Sequence, residues 1–254
     1  MLEFMEQLAL DAGKIIRQDY FKTDTKLEYK GDIDIVTDTD LKCEEVIVSN
    51  IRKRYPYDCI ITEEQEIINT ESKRKWIVDP LDGTTNFSHR FPFCAVSIGL
   101  EIDGIIKYGV VYTPIMNELF SAKKYNGAFL NGTRICVSKT DKISNCLVAT
   151  GFPYDRFTNE DNNLDNFNRL ATKIRGIRRL GSAALDLCYV AANRVNGYWE
   201  IRMETWDLAA GMLIAQEAGA KVTKRDGSLD MLNPPINVIA ANPLLHQKFL
   251  ENIV

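Results

Sequence analysis

Apolar residues recur at helical spacing in two segments near the start of the chain. Leu2, Met5, Leu8, Ala9, Ala12, Ile15, Ile16 and Phe21 share one side of an amphipathic helix predicted over Leu2 to Tyr20. A second run at roughly helical spacing, Leu41, Glu44, Glu45, Val46, Ile47, Val48 and Ile51, predicts a helix from Leu41 to Arg54, and Asp38, Thr39 and Asp40 supply its cap region. The pattern then turns to short apolar runs. Ile60 to Thr62 and Trp76 to Val78 read as strands, followed by a meander over Ala95 to Ile102, Ile105 to Thr113 and Glu118 to Lys123, with Asn126-Gly127 and Asn131-Gly132 as turns. Beyond these the elements alternate: strands at Cys146 to Thr150, Gly176 to Arg179, Gly197 to Ile201, Lys221 to Thr223 and Val238 to Ala240. Helices are predicted between them near Asn162 to Thr172, over Ala183 to Ala192 and over Asp207 to Ala218. The first half, to about residue 140, therefore reads as α+β and the rest as α/β. No linker or repeat separates them, so residues 1–254 are expected to form a single layered domain.

One stretch breaks the pattern with chemistry. In Trp76-Ile77-Val78-Asp79-Pro80-Leu81-Asp82-Gly83-Thr84-Thr85-Asn86, an apolar strand ends in a carboxylate, and Pro80 fixes the chain so that Asp82 can converge with Asp79 on one cation. Gly83 lets backbone approach a ligand. Thr84 and Thr85 can open a helix whose free N–H groups suit a phosphate. Hard oxygen donors beside an anion hole point to Mg²⁺ and a phosphorylated substrate. The D-x-D-G-T motif of haloacid-dehalogenase-type phosphatases overlaps this run, but its nucleophilic Asp position holds Pro80, which argues against a phosphoaspartyl intermediate and for an activated water. Glu63 and Glu64 close an upstream strand, and Glu200, Glu204 and Asp207 form a third acidic group. Taken singly, Asp40 and Asp207 read as helix caps, whereas for Glu200 a surface strand position is the minor alternative.

Composition narrows the alternatives. The 254 residues are 45% hydrophobic with a net charge of −4, which suits a sizeable core and argues against nucleic acid as the main partner. Lys173, Arg175, Arg178 and Arg179 are expected to form a solvated face. The six cysteines have no metal-ligand spacing and are expected to be buried free thiols, as in a reducing cytoplasm. Only two histidines occur, His89 and His246, so a Ser-His-Asp triad or a histidine zinc site has little material. No apolar run approaches the ~20 residues of a membrane span, and no signal peptide is read at the start.

The acidic groups taken together, with W-I-V-D-P-L-D-G-T-T-N-F at Trp76 to Phe87 and W-D-L-A-A-G-M-L-I-A-Q-E-A-G-A at Trp206 to Ala220, resemble the inositol monophosphatase family of Mg²⁺-dependent, lithium-sensitive phosphatases. The likeness runs from the first helix to about Val238. It implies the αβαβα sandwich shared with fructose bisphosphatases, acting as a homodimer on a small phosphate ester. It further implies that Glu63, Asp79 and the Leu81 carbonyl hold a first Mg²⁺ and that Asp79, Asp82 and Asp207 hold a second. A third, weaker ion is implied near Tyr29-Lys30-Gly31-Asp32. Thr84, supported by Asp40, would orient and help deprotonate a water, while Gly83 and Thr84 N–H groups hold the phosphate. Asp82, Asp207, Gly181, Ser182, Ala183 and Glu200 would complete the substrate site, the last four against the alcohol. Asp186 matches the inositol-phosphate members rather than those that cleave adenosine bisphosphates. Fructose-1,6-bisphosphate, NADP and adenosine 3′,5′-bisphosphate remain alternative substrates. A quiet regulatory protein on the same fold is disfavoured by the intact acidic set.

Overall fold

The computed structural model describes residues 1–22, 27–29, 35–64 and 71–253, so Lys30, Gly31 and Asp32 lie outside the described residues. In chain order the elements are α1 (Leu2–Tyr20), β1 (Leu27–Tyr29), β2 (Ile35–Thr37), α2 (Asp38–Arg54), β3 (Cys59–Thr62), β4 (Arg74–Asp82) and α3 (Thr84–Ser88). A meander follows: β5 (Ala95–Ile102), β6 (Ile105–Thr113), β7 (Glu118–Lys123), β8 (Ala128–Leu130) and β9 (Thr133–Ile135). The remainder is β10 (Leu147–Thr150), α4 (Leu164–Ala171), β11 (Gly176–Arg178), α5 (Ala183–Ala191), β12 (Gly197–Met203), α6 (Thr205–Glu217), β13 (Lys221–Thr223), β14 (Ile236–Ala241) and α7 (Pro243–Leu250).

These elements stack in five layers. A seven-stranded sheet runs in sequence order from β3 to β9, antiparallel except for the parallel β3–β4 pair. A five-stranded sheet has the order β11-β10-β12-β14-β13 and mixes both directions. Helices α1 and α2 cover the outer face of the larger sheet, with Met5, Leu8, Ile16, Ile47 and Ile51 packed against Trp76, Val78, Ile98 and Val110. The pair α5 and α6 lies between the sheets. It is apolar nearly all round because both of its faces are buried, Leu185, Leu187, Leu208, Leu213 and Ile214 among them. On the far side, Leu170 of α4 and Leu245 and Phe249 of α7 close over Trp199 and Ile239. The result is the expected αβαβα sandwich.

Several element ends differ from the periodicity. Helix α2 starts at Asp38, three residues early, because Thr37 is its N-cap and forms a reciprocal capping box with Asp40. Strand β4 continues through Pro80 to Asp82, with its register against β5 shifting between Asp79 and Asp82. Strand β12 runs on to Met203 across a similar irregularity, where Arg202 takes φ 58°. Helix α7 and strands β8 and β9 had no counterpart in the pattern, although the turn joining the two strands falls at the predicted Asn131-Gly132. Asn242 caps α7 and Pro243 opens it. Of the six free cysteines, Cys136 is exposed, which corrects the expectation that all are buried.

Candidate active site

The acidic residues meet where β3, β4, β12 and three helix starts converge on a cavity of about 690 Å³. Its lining includes Glu63, Asp79, Leu81, Asp82, Gly83, Thr84, Gly181, Ser182, Ala183, Glu200 and Asp207. Asp40 stands just behind this wall, 1% exposed. Glu63, Asp79, Leu81, Asp82, Gly83, Thr84, Gly181, Ser182, Ala183, Glu200 and Asp207 thus share one cavity, with Asp40 against Thr84.

Local geometry explains each position. The shift in β4 brings both Asp79 and Asp82 to the cavity, and Gly83 ends the strand at φ 91°, with no room for a Cβ against the Phe93 carbonyl at 2.9 Å. Thr84 then begins α3, leaving the Gly83 and Thr84 N–H groups without acceptors in the helix. The Thr84 hydroxyl lies 2.9 Å from both Asp40 Oδ1 and the Leu81 carbonyl. Its single proton serves one of these acceptors at a time. Asp40 is at once a cap and a partner of Thr84: its Oδ2 accepts the Thr37 N–H at 2.9 Å and the Thr37 hydroxyl. The cap read for Asp40 taken singly and the support of Thr84 implied by the resemblance thus fall on the two oxygens of one carboxylate.

Asp82 is anchored from far along the chain. Its Oδ2 accepts the Ser182 hydroxyl at 2.6 Å and the Ala184 N–H at 2.8 Å, so the start of α5 grips a carboxylate of β4. Ser182, expected along the alcohol, is buried and faces Asp82. Asp79 accepts the Leu81 N–H at 3.0 Å, and Asp207 accepts the Glu204 N–H at 2.8 Å within the capping box of α6. Two supports were not visible in the sequence. Glu44 on α2 accepts the Glu64 N–H and steadies the end of β3, and the Asn86 amide donates to the carbonyls of Phe93, Leu180 and Gly181, tying α3 to the approach of α5.

Acidic groups crowd together here. Burial, followed by repulsion from Glu63, Asp82 and Asp207, pushes Asp79 well above the usual carboxylate range. Asp82 and Asp207 are raised too, burial again the largest cause. Burial lifts Asp40 to about 6 against the hydrogen bonds from Thr37 and Thr84. Glu200, which accepts a hydrogen bond from the Tyr198 hydroxyl, is lifted by burial to about 7. Arg179 opposes the rise of Asp82, Asp186 and Glu200, so it belongs to this site and not to a purely solvated face.

The donor set suits a hard dication, since each group is an oxygen and the mutual repulsion falls when a cation is present. Among the described residues no group of three acidic, histidine or cysteine side chains is already gathered closely enough to hold a metal ion, and Asp79, Asp82 and Asp207 each have one oxygen accepting a backbone N–H. A profile of the inositol monophosphatase family matches residues 1–254. The chain belongs to this family. An inositol-1-monophosphatase of Mesorhizobium japonicum is 38% identical over 255 residues, spanning 100% of the chain and 96% of that relative. The Nus factor SuhB of Escherichia coli is 41% identical, spanning 100% and 95%. Among solved structures, the extragenic suppressor protein suhB of Bartonella henselae superposes with a TM-score of 0.92 at 40% identity, covering 99% of the chain and 97% of its own. Family membership carries a phosphatase fold and a general dependence on metal. No helix among the described residues is long and apolar enough to cross a membrane.

Proposed function

We propose that this family member is a Mg²⁺-dependent phosphomonoesterase that hydrolyses inositol monophosphate to inositol and phosphate. The observation that carries the reading is the Thr84–Asp40 pair opening onto a cavity of mutually repelling carboxylates. Glu63, Asp79 and the Leu81 carbonyl would hold one Mg²⁺, and Asp79, Asp82 and Asp207 a second. When bound, such a pair supplies Lewis acidity that acidifies water and offsets charge on the phosphoryl group. The Gly83 and Thr84 N–H groups orient the phosphate. Thr84 Oγ1 takes a proton from the attacking water as its own proton passes to Asp40 Oδ1, and Asp40, raised to about 6, is suited to accept it near neutrality. Attack on phosphorus expels the alkoxide, which takes a proton from solvent. Glu200 holds hydroxyls of the alcohol. The family resemblance supports a homodimer in the cytoplasm.

The testing experiment is phosphate release from inositol-1-phosphate, fructose-1,6-bisphosphate, adenosine 3′,5′-bisphosphate, NADP and histidinol phosphate, with and without Mg²⁺ and Li⁺. Preference for the inositol ester, abolished in Asp82→Asn, is expected. A flat panel with metal bound overturns the assignment. The Nus-factor name of the SuhB relatives favours a second reading, a regulatory role carried by the same fold. An Asp82→Asn protein that keeps its cellular role while losing hydrolysis would separate that role from catalysis.

A further inference from the structure

Asp186 lies in the first turn of α5 and lines the cavity, yet it is only 1% exposed, and its Oδ1 has no hydrogen-bond partner among the described residues. Helix capping does not account for it. Ser182 is the cap, with its hydroxyl 3.4 Å from the Leu185 N–H, and a first-turn acid that serves only the helix dipole works equally well in solvent. The neighbours are no better suited to complete it. Burial raises Asp186 well above the usual range, and Glu200 and Asp82 raise it further, while Arg179 alone opposes them. A buried acceptor left open in this way is costly unless something else pairs with it.

Glu200 on β12 lies across the same wall. Its carboxylate presses so closely on Gly151 that a Cβ there would fall 2.0 Å from Oε1. Gly151 is itself held, since the Asn163 amide donates to its carbonyl at 2.6 Å while Asn163 Oδ1 accepts the Trp199 indole N–H at 2.8 Å. Glu200 is therefore fixed in place with the Tyr198 hydroxyl on Oε2. The wall presents two buried acid groups, Asp186 and Glu200, both raised by burial and by repulsion from neighbouring carboxylates, so each is disposed to hydrogen-bond rather than to stand ionised. That combination suits a neutral group rich in hydroxyls.

We infer that Asp186 is a specificity-determining residue, its unpaired carboxyl oxygen accepting a hydrogen bond from a second hydroxyl of a polyol leaving group beside the one read by Glu200. The inference rests on the polyol phosphate reading above and adds the acceptor that would distinguish a cyclic polyol from a simple alcohol.

The test compares kcat/KM for inositol-1-phosphate and p-nitrophenyl phosphate, whose leaving group has no donor for Asp186, in Mg²⁺-loaded wild type, Asp186→Asn and Asp186→Leu. Losing a hydrogen bond to an uncharged acceptor is worth roughly two- to tenfold. The ratio of the two kcat/KM values should fall by about that factor in Asp186→Leu and by less in Asp186→Asn, which keeps one carbonyl acceptor. Weaker inhibition by free inositol should accompany the change. Both substitutions remove a buried acid whose Oδ1 has no partner, so thermal melts should show a fold at least as stable as wild type, and Asp186→Asn carries the comparison if Leu does not fit. Equal loss on both esters, or an unchanged ratio, overturns the inference alone. A wild type with no preference for the inositol ester overturns both it and the polyol reading.

Discussion

At the scale of single residues, the Thr84 hydroxyl is the part of the proposed chemistry with the sharpest consequence. It has one proton, two acceptors at 2.9 Å, and behind it a carboxylate raised to about 6. Thr84→Ala should lower kcat by roughly 10²- to 10⁴-fold, the range of a lost general base, while Thr84→Ser should restore most of it. A Thr84→Ala protein with wild-type turnover would remove the relay. The pH profile gives an independent check. Asp40 accepts a proton only when ionised, so the rate should rise with pH, with the limb at or below about pH 6 because bound cations lower neighbouring carboxylates. Asp40→Asn should lose that limb along with most of the rate, whereas a wild-type profile flat through this region counts against Asp40 as the base. Gly151 offers a prediction of a different kind. Gly151→Ala places a Cβ within 2.0 Å of the Glu200 carboxylate, which must swing away. KM for inositol-1-phosphate should rise severalfold, on the order of one lost hydrogen bond, with kcat affected less. An unchanged KM would mean that Glu200 does not touch the alcohol.

At the scale of elements, the site is positioned by how closely α6 sits on the larger sheet. A Cβ on Gly99 would fall 2.9 Å from the Ala209 Cβ, and one on Gly109 would fall 2.8 Å from the Ala210 carbonyl, so the two strands and the helix meet almost backbone to backbone. Gly109→Ala should cost about 1–3 kcal/mol of overpacking. At ~2–4 °C per kcal/mol for a chain of this size, that is a drop in Tm of roughly 2–12 °C in a calorimetric scan. An unaltered Tm would show that α6 can lift away without loss. The same crossing sets what the sequence could disclose. Asp79, Asp82, Gly83 and Thr84 are contiguous, and strand, turn and helix start could be read directly from residue type. The Ser182 bond to Asp82 spans 100 positions and the Asn86 bond to Leu180 spans 94, and no local pattern encodes contacts made only when α3 and α5 meet. Glu44 was hidden for a related reason, being a buried carboxylate within an otherwise ordinary helix. Strands β8 and β9, at three residues each, are too short for alternation to register, and α7 announced itself only through Asn242 and Pro243.

At the scale of the whole molecule, the acidic cluster should make folding depend on protons and, through the proposed site, on metal. Asp40 is raised to about 6 and Glu200 to about 7, with Asp79, Asp82, Asp186 and Asp207 raised as well. A carboxyl group with a higher pKa folded than unfolded binds its proton more tightly in the native state. Its stabilising contribution is fully present below the unfolded value, near 4, and is lost as pH rises through the folded value. The metal-free protein should therefore become less stable between about pH 4 and pH 7, the reverse of a protein held by ion-paired carboxylates. Cations binding only the native state add stability by mass action, and they compete with protons for the same oxygens. Mg²⁺ should then raise Tm more at about pH 8 than at about pH 5, and the chelated protein should melt lower at the higher pH. Differential scanning calorimetry on chelated and Mg²⁺-loaded protein at both pH values tests the two signs together. Asp82→Asn removes one of the repelling charges and one oxygen ligand, so its metal-free form should melt higher than wild type at the alkaline end, with a smaller gain on adding Mg²⁺. If wild type instead gains equally at both pH values, the cation binds away from these carboxylates and the proposed metal site is wrong.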